Sequence, residues 1–321
     1  NFVAGVNAGN SITSGGNYNT TIGDEAGTAI TTGDNNVAVG YNSLTANTTG
    51  TDSVAIGHSA LLAQTTGGDN VAIGHLAMSS LTTAGNNTAV GDRAMQANTS
   101  GENNVAIGTL ALDANTTGAS NTAVGRDSLT ANTTGTQNTA VGKSALAANT
   151  TAGQNTAMGR EALFANTTGA DNTAIGAAAL YSNTTASSNT AVGRSCLINN
   201  TTGAENVAVG AESLDANTTG VQNNAIGYLS LTSCTTGSYN VAMGVAALND
   251  TTTGESNVAL GHLSSYSNLT GSSNTAVGQK SFYTNTTGAN NVAIGKSALY
   301  ANTTGSRNVA IGEGALDSNT T

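Results

Sequence analysis

Apolar and polar positions recur along this chain with a period of 17 residues. Glycines mark the period from Gly23, Gly40 and Gly57 through Gly278, Gly295 and Gly312 without a slip, and a step of 18 leads back to Gly5. One unit, residues 121–137, reads N-T-A-V-G-R-D-S-L-T-A-N-T-T-G-T-Q, and its residues define repeat positions 1 to 17. Because the chain is its own set of copies, the columns show which side chains are constrained. Position 4 is Val, Ile, Met or Leu in all eighteen regular turns, and position 3 is Ala in all but one, where it is Thr21. Position 9 is Leu in thirteen of the seventeen turns from Leu44 to Leu316. Of 26 charged side chains, 25 fall at positions 6, 7, 10, 16 and 17, the exception being Asp250 at position 11. Those charged columns are expected to face water.

The pattern excludes a helix, since Gly at positions 5 and 15, Asn at 1 and 12 and the Thr pair at 13 and 14 would interrupt one every few residues. It predicts two short strands per repeat, over positions 1–4 and 8–11, each ending in turn chemistry. The fold class is therefore all-β: a β-solenoid (β-roll) of 17-residue coils, with identical positions stacked about 4.8 Å apart and eighteen coils making a rod roughly 85 Å long. Glycine at position 5 is expected to serve a positive φ or a close backbone approach at the corner. In the second strand, alternation points position 10 outward and positions 9 and 11 inward. Both faces of the first strand look covered. Residues 1–22 form an irregular N-terminal coil, and residues 23–321 a continuous solenoid. Gly9 and Gly27 stand at position 9 of the first turns, with Ile12 and Ile30 at position 12, so this end should pack differently. The last residues stop within a repeat, which suggests a piece of something longer.

Composition narrows the function. With 41 Gly, no Pro and two Cys in 321 residues, the chain is neither a collagen nor a disulfide scaffold, and it has no apolar run long enough to cross a membrane as a helix. Only eight Lys and Arg stand against a net charge of −10, which makes nucleic acid and anionic membrane poor partners. No nucleophile paired with a base, no carboxylate pair and no phosphate-cradling loop recurs, so neither an enzyme nor a cofactor is expected. A coil of this size buries too little apolar surface to offset its own ordering and depends on its neighbours. Lateral self-association would add burial, and the Ala at position 3 is read as the small residue that lets another chain approach.

The motif N-[TV]-A-[VI]-G-x-x-[AS]-L, as in Asn104–Leu112 and Asn291–Leu299, resembles the head repeats of the YadA-like trimeric autotransporter adhesins. It is also similar to shaft repeats of phage and bacterial tail fibres. The resemblance covers nearly the whole chain. It implies a homotrimer of β-rolls, left-handed in the adhesin heads, extracellular on a bacterial cell surface or virion, that mediates attachment to surface glycans or a host receptor. The adhesin head repeat is typically shorter, and the extra length here lies in the Asn-Thr-Thr-Gly turn.

Several columns are candidates for chemistry. Tyr266, Tyr283 and Tyr300 occupy position 10 on three consecutive coils, and Phe164 and Tyr181 on two, forming exposed aromatic ladders suited to sugar binding. The more ordinary role of such a column is to shield neighbouring strands. The Thr ladders at positions 13 and 14 offer an alternative function, an ice-binding face; the plainer reading is turn hydroxyls that satisfy the backbone. A passive tail-fibre shaft is a third reading. His58 and His75 stack at position 6, with Asp92 next in the column, and are read as solvated histidines, so no metal is expected. Asn at position 1 in seventeen of eighteen turns, and at position 12 in thirteen, should form amide ladders. Twelve of the latter also head an Asn-Thr-Thr or Asn-Thr-Ser glycosylation triplet, expected to arise from turn composition alone. Cys196 and Cys234 lie in different columns, too far apart for a disulfide.

Overall fold

The computed structural model describes residues 1–13 and 15–321. Among them are nineteen three-residue strands, beginning with β1 (Phe2–Ala4) and β2 (Thr20–Ile22) and ending with β19 (Val309–Ile311), and no helix. Every strand spans positions 2–4 of its repeat. Pairing is parallel and in register, with Val37 opposite Val54 and Ala38 opposite Ala55. The chain is thus a parallel β-solenoid of about 18 coils of 17 residues. It forms two compact units, Asn1–Arg160 and Glu161–Thr321. The first holds the strands from β1 to β10 (Thr156–Met158), the second those from β11 (Thr173–Ile175) to β19.

Among the described residues each coil has one strand. Positions 8–11, expected to be extended, instead belong to a chain of tight bends over positions 6–11. Within residues 121–137, Asp127 at position 7 has φ 57° and Leu129 at position 9 has φ 50°, both left-handed, and Gln137 at position 17 has φ 59°. A left-handed non-glycine residue costs about 1–2 kcal/mol, comparable to the roughly 2 kcal/mol gained by burying a Leu. Inter-coil hydrogen bonds hold the bends in place. Asp127 N–H donates to Thr109 O of the preceding coil at 3.1 Å, and Leu129 N–H to Ala145 O of the following coil at 3.0 Å. The ladder therefore runs through the bends as it runs through the strands.

These bends change which side chains face inward. Ser128 and Leu129 at positions 8 and 9 are both fully buried, whereas positions 10 and 11 are half-buried. The expected alternation of 9 and 11 inward fails because it presumed an extended backbone. In the strand, the position 3 Ala is wholly interior, as at Ala38, Ala123 and Ala276, while positions 2 and 4 point outward. Ala at position 3 is small because it faces its own coil's core, and it meets no neighbouring chain.

Size exchanges within single coils explain the irregular columns. Thr21 replaces Ala at position 3 where Gly27 replaces Leu at position 9 and Ile30, fully buried, takes position 12. A Cβ on Gly27 would lie 2.7 Å from Thr21 Cγ2 and 2.9 Å from Ile30 Cδ1, so the N-terminal end does pack differently. Ser53 is the one residue other than Asn at position 1 of a regular turn, and its coil alone has Gln at position 12. The longer Gln64 reaches across the interior, donating from Nε2 to Ser53 Oγ at 3.1 Å and accepting from Asn70 Nδ2 at 3.0 Å. Gln64→Asn alone should strand Ser53, and Ser53→Asn alone should crowd Gln64, each at about 1–3 kcal/mol. The double variant restores the common Asn pair and should recover most of the loss. Denaturant midpoints of the four proteins give the coupling, expected to exceed about 1 kcal/mol; additive losses would refute the exchange.

Candidate functional site

Inside most coils two asparagine columns meet at one carbonyl. In residues 121–137, Asn121 Nδ2 and Asn132 Nδ2 donate to Gly135 O at 2.8 and 3.1 Å. Each column is also laddered between coils. Asn121 N–H and Nδ2 both donate to Asn104 Oδ1, at 2.9 and 3.2 Å. Asn132 Nδ2 donates to Asn115 Oδ1 at 3.0 Å, and Asn149 Nδ2 to Asn132 Oδ1 at 2.9 Å. A side-chain amide has a donor group on one side and an acceptor on the other, so it extends such a ladder without leaving a buried polar atom unpaired. The columns are amide ladders, as their composition suggested, and they lie in the interior.

Outside, the strand presents two apolar columns. Position 2, mostly Val or Thr, is half-buried in nearly every turn. At position 4 the larger side chains remain well exposed. In the first unit Ile56 and Ile73 are each 37% accessible and Ile107 and Met158 41%, and in the second Ile175 is 39% and Met243 44% accessible. No charged side chain interrupts either column. A contiguous apolar strip on a surface marks an interaction site more often than it occurs by chance. Sequence reading placed the contact residue at position 3; the columns that could meet another surface are 2 and 4. The signal was present in the side-chain volume at position 4.

Both aromatic ladders form within the second unit. Phe164 and Tyr181 stack with centroids 5.1 Å apart and planes at 8°; Tyr266 and Tyr283 are 5.4 Å apart at 15°, and Tyr283 and Tyr300 5.2 Å at 5°. Lys280 Nζ lies 5.7 Å from the Tyr283 centroid. Each ring is half-buried and turns its faces toward its ladder neighbours. A sugar approaching from the side would therefore meet ring edges and phenol hydroxyls rather than the π-faces that stack best on pyranose C–H groups.

The remaining candidates are spent locally. The position 13 hydroxyls donate to the backbone of the next coil, Thr116 Oγ1 to Thr133 O at 3.0 Å, for example, while Thr117 at position 14 stands in solvent. His58 lies between Tyr41 and His75, with centroids 5.4 and 5.3 Å away. His75 Nδ1 is 2.8 Å from Asp92 Oδ1, and this hydrogen bond is the main reason the Asp92 carboxyl titrates below its ordinary range. No group of three or more metal-ligating side chains comes together among the described residues. Cys196 and Cys234 are free and buried, their thiols pushed up by burial to about 12 and about 11. Burial likewise raises Asp113, Asp215 and Asp250, which lie half-buried in columns 10 and 11. Arg194 pairs with Glu212, and Lys296 with Glu313 at 3.0 Å. The surface of the described residues has no pocket.

Comparison with known proteins adds no further constraint: no family model matches the sequence, and no curated protein matches it.

Proposed function

We propose that this chain is a non-enzymatic extracellular fibre, a repeat shaft or head that projects from a bacterial cell surface or a virion and mediates attachment. In this reading three copies, wound left-handed, bury their apolar strand faces against one another. The observation that carries it is the uninterrupted Val, Ile and Met surface at position 4, backed by Val and Thr at position 2, on strands whose inner face is already filled by Ala. The winding hand and the attachment role come from the repeat's resemblance to adhesin heads. The half-buried aromatic ladders are the candidate contact with surface glycans, through ring edges and hydroxyls.

The solution mass of the full chain tests the assembly. Sedimentation equilibrium should give three times the 31.3 kDa of one chain. Replacing Ile73, Ile107, Ile175 and Ile294 by Lys should yield monomers that keep the β-sheet circular dichroism, since these side chains point away from the coil interior. A wild-type protein that stays monomeric at every concentration would rule the assembly out. Glycan binding that survives Tyr266→Ala, Tyr283→Ala and Tyr300→Ala together would remove the ladder from the attachment role.

A further inference from the structure

The glycosylation triplets acquire a different meaning once the interior is known. Twelve asparagines at position 12 that head an Asn-x-Thr or Asn-x-Ser triplet, from Asn47 to Asn302, have no accessible surface. Their amide nitrogens are engaged as well as hidden. Asn132 Nδ2 uses both its hydrogens, toward Asn115 Oδ1 and Gly135 O, and Asn217 Nδ2 does the same toward Asn200 Oδ1 and Gly220 O. N-glycosylation would replace one of those hydrogens. The amide nitrogen forms a bond to the anomeric carbon of a lipid-diphosphate-linked oligosaccharide, that carbon's bond to the diphosphate oxygen breaks, the lipid diphosphate leaves and the nitrogen loses a proton. The product carries a branched, hydrated oligosaccharide where the coil has only a close-packed polar ladder.

We infer that folding and N-glycosylation of this column are mutually exclusive, so that the chain is built to be made where no N-glycan transfer precedes folding. An oligosaccharide on Asn132 or Asn217, for example, cannot be moved outward without turning its Asn away from both partners. That would leave the Oδ1 of the preceding coil and the carbonyl at position 15 unpaired inside the coil. The same triplet recurs in most turns, so a chain that meets the transferase while unfolded has many chances to be trapped. The inference rests on the buried ladder between coils and is independent of the fibre reading.

The structure also supplies the test. The hydroxyl residue the transferase requires is at position 14, and it faces solvent, as at Thr117 and Thr134. Replacing the position 14 Thr or Ser of every such triplet by Ala removes the acceptor sequence from these twelve asparagines, leaving the triplets headed by Asn19, Asn86, Asn199, Asn249 and Asn319, and keeps the buried Asn ladder intact. The full chain and this variant are made in a bacterial cytoplasm and in a eukaryotic secretory route, and the products are compared by mass, by protease lifetime and by melting of the β-sheet signal. The secreted wild type should carry glycans on the column, lack a cooperative transition and be digested at least tenfold faster than the bacterial product. The secreted wild type made with the transferase inhibited should be bare and match the bacterial product, and the secreted variant should carry no glycan on the twelve. A chain that bears a glycan on any of the twelve and melts cooperatively overturns the exclusion, as does a bare secreted chain that fails to fold although its bacterial counterpart folds. A secreted wild type that escapes modification and folds overturns the inference about where the chain is made.

Discussion

Gly125→Ala is expected to remove several kcal/mol of stability, enough to open the solenoid around the substituted coil. Gly125 stands at position 5 with φ +132°, outside the range in which an L-residue rests comfortably. An added Cβ would lie 2.6 Å from Gly142 O and 2.7 Å from Gly142 C, both backbone atoms of the next coil. Neither can retreat, because Gly142 N–H is itself bonded to Val124 O at 2.7 Å, within the same stack. Left-handed or otherwise strained backbone costs about 1–3 kcal/mol, and a clash with backbone that cannot relax adds to it, so a loss of about 3–5 kcal/mol is anticipated. Hydrogen exchange should localise the damage to coils 104–120 through 138–154. By contrast, Ala occurs naturally at position 15, as Ala84, Ala152 and Ala186. Gly118→Ala should therefore be much milder, even though a Cβ there would also come close to its neighbours. Equal losses at Gly118 and Gly125 would show that crowding alone, and not the combination with φ, sets the cost.

Asn132→Asp should be nearly as damaging at pH 7 and should respond to pH. The carboxylate would place acceptor oxygens against Asn115 Oδ1 and Gly135 O, where the amide has donors, and it would be a charge with no accessible surface. A loss of about 3–5 kcal/mol is expected for an uncompensated buried charge. Burial and acceptor neighbours both favour the protonated form, so the folded-state pKa of the introduced Asp lies above its unfolded value of about 3.9. The folded state then binds the proton more tightly, and the variant recovers stability as pH falls through the folded pKa toward the unfolded one. Its deficit relative to wild type should shrink between pH 7 and pH 4, because the protonated acid regains one donor. A deficit that does not change with pH would show that the carboxylate has found solvent and that the ladder is looser than its geometry implies.

How much of this was legible in the sequence depended on what each column could distinguish. The period, a strand within positions 1–4, the inward Leu and the special glycine at position 5 follow from residue type and spacing, because strand, core and turn each favour different residues. The N-terminal exchange of Leu for Ile was visible as two linked departures from the pattern. The bends at positions 6–11 were not. Left-handed backbone is ordinarily announced by Gly or Asn, yet here Leu, Ser, Asp and Glu adopt it, held by hydrogen bonds to adjacent coils that no local window contains. The side faced by the Ala at position 3 was equally hidden. Invariance of a small residue marks a tight contact without saying which surface makes it, and the inner face of a narrow coil imposes the same constraint as an outer interface. The apolar columns at positions 2 and 4 became distinguishable only when the strand's two faces were resolved.

Ser53 and Gln64 exchange size within one coil, whereas Phe282 and Ser265, the largest and among the smallest occupants of position 9, sit on successive coils and are both buried. Recombination between identical stretches of the gene would add or drop 17 residues at a time. Most such events hand each surviving coil a neighbour equivalent to the one it lost, so the molecule can be lengthened or shortened in whole steps with nothing to refit. Coils that depart from the common unit, such as those of Ser265 and Phe282, set the limit to this freedom, since a junction there gives each a new neighbour at position 9.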